Sequence, residues 1–125
     1  MDSKSKYAFY GTLRRGMENY ETFRNSMEYL RTVDIPGFRM YSKGSYPYVV
    51  RSQDEQDRIT AEIFQIGNPM AAKEIDELEL GAGYFLDYMS IGNEKFGIYV
   101  FQQNFTDDFR IASGDWVQHV KERGF

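Results

Sequence analysis

Short runs of aromatic and β-branched residues, each closed by a glycine or proline turn, flank one clearly marked helix, and that order commits the chain to a strand-built core. The helix opens at Asn68-Pro69, an N-cap residue followed by a proline at the first helical position, where its missing N–H costs nothing. Ala71, Ile75 and Leu78 then recur at helical spacing as an apolar stripe, and Gly81 supplies a stop. The sequence predicts strands at 7–10, 29–35, 38–41, 46–50 and 59–66, and after the helix a hairpin of 85–91 with 96–101 turned by Gly92-Asn93-Glu94-Lys95. Within 59–66, Ile59, Ala61 and Ile63 share one face, and Glu62, Phe64 and Ile66 share the other. Pro36-Gly37 and Lys43-Gly44-Ser45 read as turns, and 51–58, charged and without apolar period, reads as a surface loop. Residues 17–26 read as a short helix or a crossing loop, and Ser113-Gly114-Asp115-Trp116 opens a final short helix through about Lys121. Several short strands around one central helix predict an α+β fold: a small mixed β-barrel, closed or nearly so, with residues 1–125 in one domain.

Composition narrows the partners. Hydrophobic residues at 42% and charged residues at 27% are ordinary globular usage, while the 17% aromatic share favours strands and an aromatic-lined interior or cleft. A net charge of −4 leaves no broad basic field for a nucleic acid. The absence of cysteine removes disulfides, thiol nucleophiles and thiolate metal sites. The polar start Met1-Asp2-Ser3-Lys4-Ser5-Lys6 has no apolar run behind it for a signal peptide or membrane span, so a soluble, cytoplasmic protein is expected. The sole histidine, His119, lies near Val117 and Val120 on the terminal helix and reads as a surface residue rather than a metal ligand. No nucleophile elbow, phosphate loop or dinucleotide fingerprint occurs, Ser113 or Asp115 reads as a helix cap and Trp116 as core, so no metal or cofactor is expected.

Two features carry possible chemistry. The segment Tyr7-Ala8-Phe9-Tyr10-Gly11-Thr12-Leu13-Arg14-Arg15-Gly16 runs from an aromatic strand into a turn, where Gly11 permits backbone angles that a Cβ resists. Such a turn can aim successive main-chain N–H groups at an anion such as a carboxylate. The same residues also read as a strand followed by an ordinary tight turn with two solvated arginines. The second feature is Glu79. At about 100° per residue it lies about 40° from Ile75, whereas Glu74 and Glu77 project away from the apolar stripe. Glu79 is then the carboxylate at the edge of the core, where burial raises its pKa toward useful acid/base chemistry; the alternative is a surface glutamate near a helix C-terminus.

Taken together and in order, Tyr10-Gly11-Thr12-Leu13 with Arg15-Gly16, Tyr46-Pro47, Ile75-Asp76-Glu77-Leu78-Glu79 with Gly83-Tyr84, and Ser113-Gly114-Asp115-Trp116 resemble the gamma-glutamyl cyclotransferase-like superfamily. The similarity is greatest to its small avirulence-induced-gene-like and gamma-glutamylamine cyclotransferase branch. The resemblance implies a cavity at one end of a mixed barrel, with Tyr10, Gly11, Thr12 and Leu13 holding a substrate α-carboxylate through main-chain N–H groups. It implies Glu79 as the catalytic acid/base, Tyr84 with Tyr10 lining the pocket as hydrogen-bond donors, and release of 5-oxoproline from a small-molecule gamma-glutamyl amine or peptide without a cofactor. The chain departs from that pattern where Ala61 precedes Glu62 in place of a frequent glycine, and where Phe85-Leu86 stands in place of a frequent arginine. Two other readings are a non-catalytic small-molecule-binding barrel of the same fold and, less favoured by aromatics spread through the strands, a protein-interaction module.

Overall fold

The computed structural model describes residues 6–101 and 108–123; the polar N-terminal residues 1–5, on which the reading of no signal segment rests, lie outside them. Strand β1 (Lys6–Phe9) leads through the glycine turn into a short helix α1 (Glu18–Phe23), which a single 3-10 turn connects to β2 (Met27–Pro36). Then follow β3 (Phe38–Ser42), β4 (Pro47–Arg51), β5 (Arg58–Ile66), helix α2 (Pro69–Gly81), β6 (Phe85–Ile91), β7 (Glu94–Val100), β8 (Phe109–Arg110) and helix α3 (Trp116–Arg123). The α+β class is as expected. No helix among the described residues is long and apolar enough to cross a membrane.

The strands divide between two sheets that are not closed into a barrel, so the expected barrel, closed or nearly so, is not seen. Five strands order as β2-β5-β1-β7-β6 and three as β4-β3-β8. The break occurs at Pro36-Gly37. β2 pairs with β5 as far as Pro36 opposite Arg58, and Gly37, at φ +84°, then turns the chain away so that β3 begins a separate ladder with β4. The two sheets are stitched by isolated main-chain bonds, Phe101 N–H to the Val49 carbonyl at 2.9 Å and Gly37 N–H to the Asp57 carbonyl at 2.8 Å. β1 runs antiparallel to β5 and parallel to β7, which makes the larger sheet mixed.

β5 lies between neighbours and is covered on both faces. Ile59, Ala61, Glu62, Ile63, Phe64 and Ile66 are all buried, with Phe64 packed among the rings of Phe9, Tyr20 and Tyr29. The β6–β7 hairpin has the expected pairing, but Glu94 and Lys95 belong to β7 and the turn is Gly92-Asn93 alone.

Helix α2 begins as predicted: the Asn68 side chain accepts from Met70 N–H at 2.9 Å, and Pro69 occupies the first helical position. Ala71, Ala72 and Ile75 form its buried face, whereas Leu78 is 41% exposed. The stripe fails at Leu78 because the second half of α2 overhangs a cavity instead of packing on a sheet.

Candidate active site

That cavity, of about 210 Å³, is walled by the end of β1 and its turn (Phe9 to Leu13), the start of β4 (Tyr46, Pro47), the last turns of α2 (Leu78, Glu79) and the rings of Tyr84 and Tyr99. It therefore brings together all six site residues singled out in the sequence: Tyr10, Gly11, Thr12, Leu13, Glu79 and Tyr84. Glu18 and Asn19 stand at its margin, and no lysine, arginine or histidine among the described residues lines it.

The turn is organised through its carbonyl groups. Gly11 O accepts from Arg14 N–H at 3.0 Å, and Thr12 O accepts from Asn19 N–H at 3.0 Å and Tyr20 N–H at 3.1 Å, so the opening of α1 closes back on the turn. Asn19 Nδ2 also donates to Thr12 Oγ1 at 2.7 Å. Among the described residues the N–H groups of Gly11, Thr12 and Leu13 have no main-chain acceptor. Donors so arranged beside a cavity suit an anion. The expected reason for Gly11 is corrected: its φ is not positive, and the requirement is space. A Cβ there would stand 2.8 Å from Pro47 Cγ and 3.0 Å from Pro47 Cδ, so glycine is what lets the turn lie against β4.

Glu79 is partly buried on the cavity wall, and Glu74 and Glu77 are exposed on the opposite side of α2, as the helical phase predicted. Burial, and secondarily the nearby Asp76 carboxylate, push its carboxyl up to about 7. Asp76, one turn earlier, accepts a hydrogen bond from Tyr99 Oη at 2.8 Å. Its part went unread in the sequence, although the Asp76-Glu77-Leu78-Glu79 spacing places Asp76 and Glu79 one turn apart on α2.

The tyrosines differ from expectation in one respect. Tyr10 Oη donates to the Tyr99 carbonyl at 2.6 Å, and Tyr84 Oη donates to the Pro47 carbonyl. With each proton committed to the main chain, neither hydroxyl is free to donate into the cavity, and a main-chain hydrogen bond at Val49 also engages the Tyr10 oxygen. Burial first, then neighbouring groups that include Glu79, hold the Tyr10, Tyr84 and Tyr99 hydroxyls well above the usual tyrosine range, so all three stay neutral.

Just past the turn, the reading of two solvated arginines is also corrected. Arg14 is buried, its Nε 2.7 Å from Glu62 Oε2 and its Nη1 2.7 Å from Asp115 Oδ1. Arg15 is half exposed, pairs with Glu62 Oε1 at 3.0 Å and lies over the Tyr29 ring. Asp115 also caps α3 by accepting from Gln118 N–H at 3.1 Å, as its position suggested. Trp116 is core as expected, but His119 is not a surface residue: it is buried beside the Trp116 and Phe109 rings, because α3 turns that face inward. No group of three or more His, Asp or Glu among the described residues is placed to hold a metal ion. A more open groove of about 410 Å³ runs between Arg39, Arg51, Phe85 and Phe101, but its arginines are already held by Asp57 and Asp87 and it contains no such carboxyl as Glu79.

Comparison with known proteins gives a consistent neighbourhood. The family model described as gamma-glutamyl cyclotransferase, AIG2-like, matches residues 7–118. A Vibrio cholerae protein provisionally named a gamma-glutamylcyclotransferase is 28% identical over 112 residues, covering 89% of this chain and 94% of the relative. Among solved structures, an uncharacterized protein of Pyrococcus horikoshii matches with a TM-score of 0.81 at 25% identity over 96% of both chains. A mouse AIG2-like protein matches at 0.72 and 13% identity, over 90% of this chain and 88% of its own, a likeness of fold alone.

Proposed function

The chain belongs to the gamma-glutamyl cyclotransferase, AIG2-like family, and on that footing we propose that it cyclises the gamma-glutamyl group of an amine or peptide, releasing 5-oxoproline and the free amine. The observation that carries this reading is Glu79, a carboxyl with a pKa of about 7 on the wall of a small cavity that is also lined by Gly11, Thr12 and Leu13, whose N–H groups have no main-chain acceptor among the described residues.

In the proposed reaction the N–H groups of Gly11, Thr12 and Leu13 hold the substrate's α-carboxylate, which fixes the glutamyl chain in a folded rotamer. The α-ammonium lies beside Glu79 and the neutral Tyr84 hydroxyl, whose oxygen can still accept. Glu79 takes one proton from the ammonium, and the freed nitrogen attacks the γ-carbonyl carbon of the same molecule. A C–N bond forms, the carbonyl electrons move onto oxygen, and they return as the bond to the leaving nitrogen breaks. The α-nitrogen gives up two protons in all and the departing amine gains two, with Glu79 carrying them in turn. Because nucleophile and electrophile belong to one molecule, the protein's task is orientation and proton transfer. A carboxyl balanced near neutrality is suited to both halves of that transfer.

The test is a panel of gamma-glutamyl amines and dipeptides incubated with the protein, scored by 5-oxoproline released per mole of enzyme. Multiple turnovers on at least one member are expected. Binding of the panel without any 5-oxoproline would contradict the proposal and favour the non-catalytic binding protein.

A further inference from the structure

Glu62 reaches toward the turn from β5, where it lies opposite Phe9 of β1, and it is only 3% exposed. Its Oε2 accepts from Arg14 Nε at 2.7 Å, while Oε1 accepts from both the Arg15 main-chain N–H at 3.1 Å and Arg15 Nε at 3.0 Å. Arg14 passes the connection on to Asp115 Oδ1, the oxygen that caps α3. One buried carboxylate thus grips the side chains of both residues that follow Leu13 and the main-chain N–H of the second. Buried ion pairs often stabilise no better than apolar residues of the same volume, so stability alone explains this arrangement poorly. What it supplies is a single geometry for a segment of irregular backbone.

We propose that Glu62 is a positioning residue for the 10–13 turn. By fixing Arg14 and Arg15 it holds the Gly11, Thr12 and Leu13 N–H groups in one orientation, and Asp115 ties that orientation to α3. The inference rests on the reading that this turn receives the α-carboxylate.

The probes are 5-oxoproline and 2-pyrrolidinone, the same ring without the carboxylate, titrated against the wild type, Glu62→Gln and Asp115→Asn, with thermal unfolding recorded for each. The ratio of the two affinities isolates the carboxylate's contribution and needs no turnover. The preference for 5-oxoproline should fall about tenfold in Glu62→Gln, the scale of one charge-assisted hydrogen bond, and about threefold in Asp115→Asn. Asparagine still caps α3, so the second variant keeps the test open if the first does not fold. The pH profile of kcat, set by Glu79, should not move in either. A preference retained in a folded variant, or equal loss of both ligands as a merely structural role would give, would overturn the inference. Equal binding of the two ligands by the wild type would overturn the carboxylate assignment itself, and this inference with it.

Discussion

Glu79 follows the buried Ile75 by four residues and Asp76 by three, so α2 carries it to the core's edge beside a second carboxylate. Both circumstances disfavour its charged form, and the pKa rises from 4.5 to about 7. As a base it must be ionised, so kcat/KM should fall with decreasing pH below about 7, by tenfold per unit in the limit, measured as initial rates of 5-oxoproline release across a pH series. The effect on stability has the opposite sense. A folded-state pKa above the unfolded value contributes stability below about 4.5 that is lost as pH rises through about 7. Glu79→Gln should therefore be more stable than the wild type above that range, by at most about 3 kcal/mol, and nearly equal to it in acid; urea unfolding at two pH values measures this. The position of Glu79 was legible because helical phase depends on neighbours in sequence. The burial of Arg14 was not, because its partners Glu62 and Asp115 lie 48 and 101 residues away in sequence.

At the level of elements, Gly11 acts by making room. Gly11→Val should press on Pro47, shift the turn and weaken 5-oxoproline binding by about tenfold or more in a direct titration, while the chain still folds. Gly114 is held more strictly: its φ is +67°, a Cβ would run into the Arg58 carbonyl oxygen, and its own carbonyl accepts from Thr60 N–H at 2.8 Å. Gly114→Ala should cost about 3–5 kcal/mol in chemical denaturation or prevent folding, since the new Cβ meets main-chain atoms that cannot swing aside. Strands, hairpin and the capped start of α2 could all be read from local pattern. The two-residue β8 could not, having too few residues to show any period, and Leu78 misled because a stripe does not reveal where the surface it faces gives way to a cavity.

For the molecule as a whole, the sequence conveyed strand content but not closure: pairing partners are a long-range property, and the turn at Gly37 sends β3 and β4 into a second sheet. The cavity is formed where turn, helix and both sheets converge, and its walls include the carboxylates Glu18 and Glu79 but no cationic side chain among the described residues. With no ligand cluster for a metal among those residues, turnover is expected to be unchanged in excess chelator, a comparison made with and without added divalent ions. In the proposed function this assembly uses one carboxyl to move protons within a bound gamma-glutamyl compound. Its most direct measurement is the rate of 5-oxoproline formation by the wild type, Glu79→Gln and Glu77→Gln on the best substrate of the panel, alongside a binding titration for each. Glu79→Gln should bind normally yet turn over about 10²- to 10⁴-fold more slowly, with Glu77→Gln close to wild type; a Glu79→Gln variant that releases 5-oxoproline at the wild-type rate would show that Glu79 does not carry the protons.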